Sequence, residues 1–157
     1  MGKLKLTVEP GKQELHMTRV FDAPREKVFK AHTDPKAIVQ WWGTRDSKIT
    51  VDMMEVRDGG RWRFVERGAD GADYGFHGVY HAIVPNERIV QTFEFEGTPG
   101  HVLLDTTMFE EVDGKTVLTG LSVFQSVEDR DGMVAAGMEG GANEGYDKLD
   151  ELLASWR

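Results

Sequence analysis

The sequence predicts an α+β domain in which one curved antiparallel sheet wraps a long C-terminal helix. Three observations predict it. Turn signals recur between Lys48 and Phe124, and the runs between them alternate apolar and polar residues as the strands of a meander do. Two helix-start signatures, Asp22-Ala23-Pro24 and Asp34-Pro35, follow a single leading strand. Beyond Phe124 the apolar spacing lengthens from two residues to three and four, the period of a helix. Strands that follow one another without intervening helices exclude a parallel α/β arrangement.

Residues 1–12 read as a loose lead-in that ends at the Pro10-Gly11 turn signal. Gln13 to Phe21 reads as a strand with Leu15, Met17, Arg19 and Phe21 on one face, so Arg19 is expected to pack its stem inward and pair its charge with an acid. Pro24 suits a first helical turn and Asp22 is placed to cap it, with Val28, Phe29 and His32 inward. Asp34-Pro35 starts a second short helix carrying Ile38, Val39, Trp41 and Trp42, and Gly43 suits its end. Strands are then expected at Lys48–Val56, Arg61–Arg67, Tyr74–Val84, Ile89–Phe95, His101–Val112 and Lys115–Phe124. Asp113-Gly114 marks the tight hairpin between the last two. Six to seven strands result. Ser126 caps a short helix with Glu128 and Asp129 in its first turn. A longer helix runs from about Met138 to Trp156, with Met138, Ala142, Gly145, Leu149, Leu152 and Trp156 on one face. The first half of that face is small, and each helix glycine costs roughly 1 kcal/mol against alanine. Either a backbone comes close there or space is left open. A curved sheet cannot follow a straight helix along its whole length, so the expected site is the volume left between them.

Bulk properties narrow the function. At 157 residues the chain fits a single domain. A net charge of −8 with no basic run argues against nucleic acid or an anionic membrane as partner. With no cysteine, thiolate catalysis, disulfides and cysteine-based metal sites are excluded. No apolar stretch is long enough to span a membrane, and the N-terminus lacks a signal-peptide core, so a cytoplasmic protein is expected. No nucleophile elbow, phosphate loop or dinucleotide fingerprint occurs, and neither a cofactor nor a metal is expected.

Seven segments, in this order and spacing, resemble the helix-grip (START-like, SRPBCC) superfamily. They are Phe21-Asp22-Ala23-Pro24, Thr33-Asp34-Pro35, Trp41-Trp42-Gly43, Asp58-Gly59-Gly60-Arg61-Trp62, Phe76-His77-Gly78-Val79-Tyr80, Pro99-Gly100-His101 and Gly137-Met138-Glu139. The branch they resemble is homologous to the C-terminal domain of the heat-shock-protein-90 ATPase activator. The resemblance spans Glu14 to Leu153 and implies a hydrophobic ligand cavity beneath the C-terminal helix. It also implies, as alternatives, co-chaperone-like stimulation of a heat-shock-protein-90 ATPase with a chaperone as partner, or a cyclase, dehydratase or hydrolase activity in the same cavity. Relatives often carry an aromatic at His32 and a tryptophan at Ala142, so a roomier pocket is expected here.

The candidate cavity lining is Trp41, Trp42, Trp62, Phe64, Phe76, Tyr80, Phe93, Met108, Met133, Met138, Ala142 and Gly145. One member of the tryptophan pair is expected in the core and the other at the entrance. His32 and Glu139 are the weak catalytic candidates, Glu139 also being a possible partner for Arg19. His77 and His81 share a strand face about 13 Å apart, too far for one metal ion. His101 is expected at a rim. The favoured reading is non-catalytic binding of a small hydrophobic molecule, and exposed aromatics on the strands leave room for a homodimer.

Overall fold

The computed structural model describes residues 2–157; Met1, the first residue of the expected lead-in, lies outside them. The chain runs β1 (Lys5–Thr7), β2 (Glu14–Phe21), α1 (Arg25–Thr33), α2 (Pro35–Trp41), β3 (Lys48–Met54), β4 (Arg61–Arg67), β5 (Asp73–Val84), β6 (Arg88–Phe95), β7 (Val102–Val112), β8 (Lys115–Val123), α3 (Val127–Ala135) and α4 (Met138–Ser155). All strands form one antiparallel sheet in the order β1-β2-β8-β7-β6-β5-β4-β3. This is the expected α+β architecture with one more strand. The extra strand lies in the lead-in, where Leu6 pairs opposite Met17 and Leu4 is buried. Three residues, Lys5-Leu6-Thr7, carry too little alternation to be read as a strand; pairing with β2 supplies what propensity does not.

Curvature comes from two register breaks, one in β3 between Val51 and Met53 and one in β5 between Tyr80 and Ala82. The break in β5 is secured by the β3–β4 loop. Gly59 N–H donates to the Tyr80 carbonyl, Tyr80 N–H to the Gly60 carbonyl, and Ile83 N–H to Asp58 Oδ1. A Cβ on Gly60 would sit 1.9 Å from the Glu55 carbonyl oxygen, so only glycine permits this approach.

The helix starts follow the capping signals with one exception. Asp34 accepts from Lys36 N–H at 2.9 Å, and Ser126 Oγ accepts from Asp129 N–H at 3.1 Å. Asp22 does not cap α1. Pro24 itself occupies the N-cap position, which leaves Asp22 two residues too early to reach the first amides. Asp22 pairs instead with Arg157 at 2.9 Å, and Glu111 accepts from Arg25 N–H. Gly43 closes α2 at φ +83, as expected.

The buried positions of α4 are Gly145, Tyr146, Leu149, Leu152 and Leu153, so Tyr146 and Leu153 join the expected stripe while Met138 and Trp156 are half-buried. The backbone of α4 lies chiefly against α2, with α1 and α3 beside it, and stands off from the strands. A buried ion pair ties it to the sheet. Arg19, 1% exposed, donates through Nη2 to Asp147 at 2.9 Å and Asp150 at 2.8 Å, with its guanidinium 4.6 Å above the Phe21 ring. The main core gathers Phe21, Val28, Ile38, Trp41, Trp62, Phe64, Leu118 and Leu149 between sheet and helices. A smaller cluster of Leu15, Leu103 and Phe124 lies beneath α3 and the start of α4. Among the described residues, no helix is long and apolar enough to cross a membrane.

Candidate functional site

The inward face of the sheet follows from the strand register. Leu103 and Phe109 in β7, Leu118 and Phe124 on and just beyond β8, and Ile89 in β6 are all buried, so residues two positions from them face the same side. Asp105, Thr107, Ser122 and Gln91 therefore point inward. Register places them in line: Leu15 opposite Ser122, Ser122 opposite Asp105, Asp105 opposite Gln91, and Gln91 opposite Tyr80. At the usual interstrand spacing, the polar part of this row spans about 14 Å. A second row, Met17–Gly120–Thr107–Ile89–Ile83, runs beside it.

Met17, Gln91, Asp105, Thr107 and Ser122 are only half-buried. They sit on central strands beneath helices, where close packing would cover them completely. Their exposed side faces the helix layer, where the backbone of α4 stands off from the strands. Along the first half of α4, Gly141 and Ala142 are half-buried, nothing lies within 4 Å of where a Cβ on Gly141 would be, and Gly140 is exposed to solvent. Tyr146 closes the other end, stacked on Trp41 with ring centroids 5.9 Å apart.

Asp105 is the charged group of this row. Its Oδ1 accepts from Ser122 Oγ at 2.5 Å, and among the described residues no cation bonds it. Burial pushes its carboxyl up to about 6, against the smaller opposing effect of the Ser122 hydrogen bond. Burial, with the Asp105 charge added, also raises the Tyr146 phenol, while Arg19 acts in the opposite direction. Tyr80 is raised by burial alone. Trp62 Nε1 is buried without a partner above Gly78, where a Cβ would lie 2.7 Å from it.

The residues singled out in the sequence divide into several groups. Trp41 is core: its Nε1 donates to the Ala31 carbonyl at 2.9 Å. Trp42 is the half-buried member of the pair, edge-on to Phe64 at 5.3 Å and Phe76 at 5.1 Å. Trp62, Phe64 and Tyr80 are buried on the inward face, with Phe76 and Phe93 half-buried beside them. Met133 and Met138 belong to the smaller cluster. Met108 has to be removed from the cavity lining. It is 49% exposed on the outer face, because β7 alternates and Phe109 takes the inward direction. Gly145 is also corrected: its missing Cβ lets α4 approach the Trp41 and Gly43 carbonyls, 3.3 and 3.6 Å from where that atom would be. The glycine serves backbone contact, and no open volume lies there. The roomier pocket expected around Ala142 and Gly145 does not form there: Gly145 meets α2, and Ala142 packs against the main core.

Neither catalytic candidate is placed for chemistry. His32 Nδ1–H donates to the Val28 carbonyl at 2.8 Å, and its ring lies 4.9 Å from Trp41 and 5.1 Å from Phe109. Burial lowers it to about 4, so it is neutral at pH 7, with Nε2 buried and unpartnered. Glu139 is exposed on the outer side of α4, and Asp147 and Asp150 take the Arg19 pairing instead. The remaining histidines serve the surface. His77 lies between Glu94 and Glu96, the latter held to about 2 mainly by its Arg63 partner. His81 is exposed, and His101 joins the β6–β7 loop to Asp129 of α3 at 2.9 Å. Two open depressions lie outside the sheet–helix space, one lined by Gln40, Arg45, Lys148 and Glu151, the other by Gly11 to Glu14 with Val123. Among the described residues, no group of three or more His, Asp or Glu side chains is placed to hold a metal ion.

Asp105, Ser122 and Gln91 were not singled out in the sequence. The signal was present in β7, where Leu103, Asp105, Thr107 and Phe109 share one period-two phase with apolar ends. What was missing was the knowledge of which phase faces the helix.

A single antiparallel sheet curved over a long C-terminal helix is the helix-grip architecture. The chain belongs to the family described as "Activator of Hsp90 ATPase homolog 1-like protein", whose profile matches residues 22–154. No curated protein matches it significantly. Among solved structures, it resembles a protein from Mycobacterium smegmatis at 24% identity and a TM-score of 0.88, covering 98% of this chain and 97% of that one. A protein from Arthrobacter aurescens is similar at 24% identity and a TM-score of 0.88, over 96% and 91% of the two chains. One from Rhodobacter sphaeroides reaches 28% identity and a TM-score of 0.87, over 96% and 98%.

Proposed function

We propose that this protein binds a small, mainly apolar molecule between the inward face of its sheet and α4, without chemistry of its own. One observation carries the reading: polar and apolar side chains at the centre of the sheet stay half-exposed beneath a helix that stands off from the strands. Aromatic rings on β4, β5 and β6 supply apolar walls, and a few polar groups give orientation, the usual composition of a small-molecule site. Access lies at the α3–α4 junction. Gly137 there adopts φ +89, and Gly140 and Gly141 meet no neighbours, so among the described residues Met138 and Ala142 are the apolar contacts that a shift of the first turns of α4 has to loosen. The Arg19 pairs and Leu149 hold the second half in place.

Thermal-shift screening against lipophilic compounds, followed by native mass spectrometry of the hits, tests this reading. A ligand at one hundred times its Kd should stabilise the fold by about 2.7 kcal/mol. A screen in which no compound shifts Tm and none is retained in the gas phase refutes it.

A further inference from the structure

We infer that the inward polar row selects a lipophilic amine, with its ammonium group seated against Asp105 and its apolar body among the aromatic rings of β4 to β6. The inference rests on the binding site proposed above and names the chemistry of its ligand.

The first ground is the carboxylate's incomplete environment. Asp105 faces inward from β7, a central strand, and receives one neutral donor, Ser122 Oγ. Oδ2 accepts no hydrogen bond from any described residue. Gln91 on one side of it and Thr107 two residues along also make no side-chain hydrogen bonds among the described residues, and both are half-buried. Asp105 is half-buried, and with one neutral donor it holds its charge less readily than a carboxylate paired with a cation, which leaves its second oxygen open to a cationic ligand.

The second ground is that the protein's own cation is committed elsewhere. Arg19 is the buried basic residue of β2, and its Nη2 is occupied by Asp147 and Asp150 of α4. The titratable or charged groups that face the row are Tyr80 from β5, Tyr146 from α4, Arg19 from β2 and, behind Phe109, His32 from α1. Burial raises both phenols, which keeps them uncharged at neutral pH, and His32 is neutral. None supplies the missing positive charge.

The third ground is selection by charge. An arriving ammonium would donate to Asp105 Oδ2, and the faces of nearby rings favour a cation. A carboxylate ligand would meet Asp105 in a region of low dielectric and be repelled. The net charge of −8 also draws cations toward the protein.

Three ligands of equal shape separate the possibilities: 2-phenylethylamine, 2-phenylethanol and phenylacetate, titrated against the full chain by calorimetry and by chemical shifts of the Trp indole N–H groups. At pH 7.5 the amine is expected to bind at least tenfold more tightly than the alcohol, with phenylacetate weakest. Asp105→Asn should remove that preference, so that the amine and the alcohol bind the variant within twofold of each other. In the unmodified protein, the amine's advantage should shrink severalfold between pH 7.5 and pH 5, as the Asp105 carboxyl takes up its proton. This measurement does not depend on how well the variant folds. Equal binding of amine and alcohol at pH 7.5, or an amine preference that survives Asp105→Asn, overturns the inference while leaving the binding site standing. If none of the three binds and the wider screen also fails, the site itself is refuted and this inference with it.

Discussion

The Arg19 ion pair makes the clearest energetic prediction, because its two carboxylates differ in exposure. Asp147 is 57% exposed, so water screens it and its share should not exceed about 1 kcal/mol. Asp150 is 22% exposed and accepts a charge-assisted bond at 2.8 Å, worth about 1.5–3 kcal/mol. Removing both is worse than either loss alone suggests. The guanidinium is 1% exposed, and its Nε and Nη1 already lack partners. Stranding that charge should cost about 3–5 kcal/mol. Replacing the arginine by methionine instead leaves two carboxylates that water can reach, and the methionine still packs on Phe21. That loss should be about 1–2 kcal/mol, below the cost of the double aspartate variant. The assay is a double-mutant cycle of Arg19→Met against Asp147→Ala/Asp150→Ala by urea denaturation. The cycle cancels the helix-propensity gain of the new alanines. The expected coupling is about 3 kcal/mol, and the aspartate variant's own loss of about 3–5 kcal/mol should lower its Tm by roughly 6–20 °C. A coupling under about 0.5 kcal/mol, or an arginine variant less stable than the double aspartate variant, would falsify the view that this pair clamps α4 to the sheet.

Two further predictions concern pH and the glycines of α4. His32 and Asp105 oppose each other in acid. The folded His32, at about 4, lies below its unfolded value, so the unfolded chain binds more protons and stability falls as pH drops from about 6.5 towards 4. Asp105, at about 6, lies above its unfolded value. Its contribution is complete below about 4 and is lost as pH rises through 6. His32→Phe removes the first effect, so urea midpoints of that variant should fall between pH 4 and pH 6.5. A midpoint that still rises over this range would show that the pH response does not come from His32. Gly140→Ala and Gly141→Ala enter open space and should each add about 0.5–1 kcal/mol. Gly145→Ala, pressed to 3.3 Å from the Trp41 carbonyl, should gain less than either or destabilise. Thermal melts of the three variants check the order, and Gly145→Ala emerging as the most stable would mean that α4 and α2 are not in backbone contact.

Local physical chemistry determined most of the fold in advance. Period-two runs between turn signals define β3 to β8, Asp34 and Ser126 cap their helices through their own side chains, and Asp113 and Gly114 take the positive φ values a tight hairpin requires. These features depend on neighbours within a few residues, so they can be read from sequence alone. The short strand β1 depends on a distant partner and is not legible locally, and the start of α1 lies two positions later than an Asp22 cap would put it, because Pro24 itself serves as the N-cap.

The site is a different matter. Alternation shows that Asp105 and Met108 point to opposite sides of β7, but not which side the helix covers. That depends on how β7 pairs with β6 and β8 and on the curvature the two register breaks impose. Likewise a glycine-rich helix face signals either open space or close approach. Only the packing of α4 on α2 assigns Gly145 to close approach and Gly140 and Gly141 to open space. The sequence by itself determined the elements and their order, because helix and strand periods and caps are local. Tertiary structure decided the inside of the molecule: Arg19 paired across the sheet to α4, His32 neutral in the core, and Asp105 as the inward acid. Each of these is settled by contacts between residues far apart in the chain.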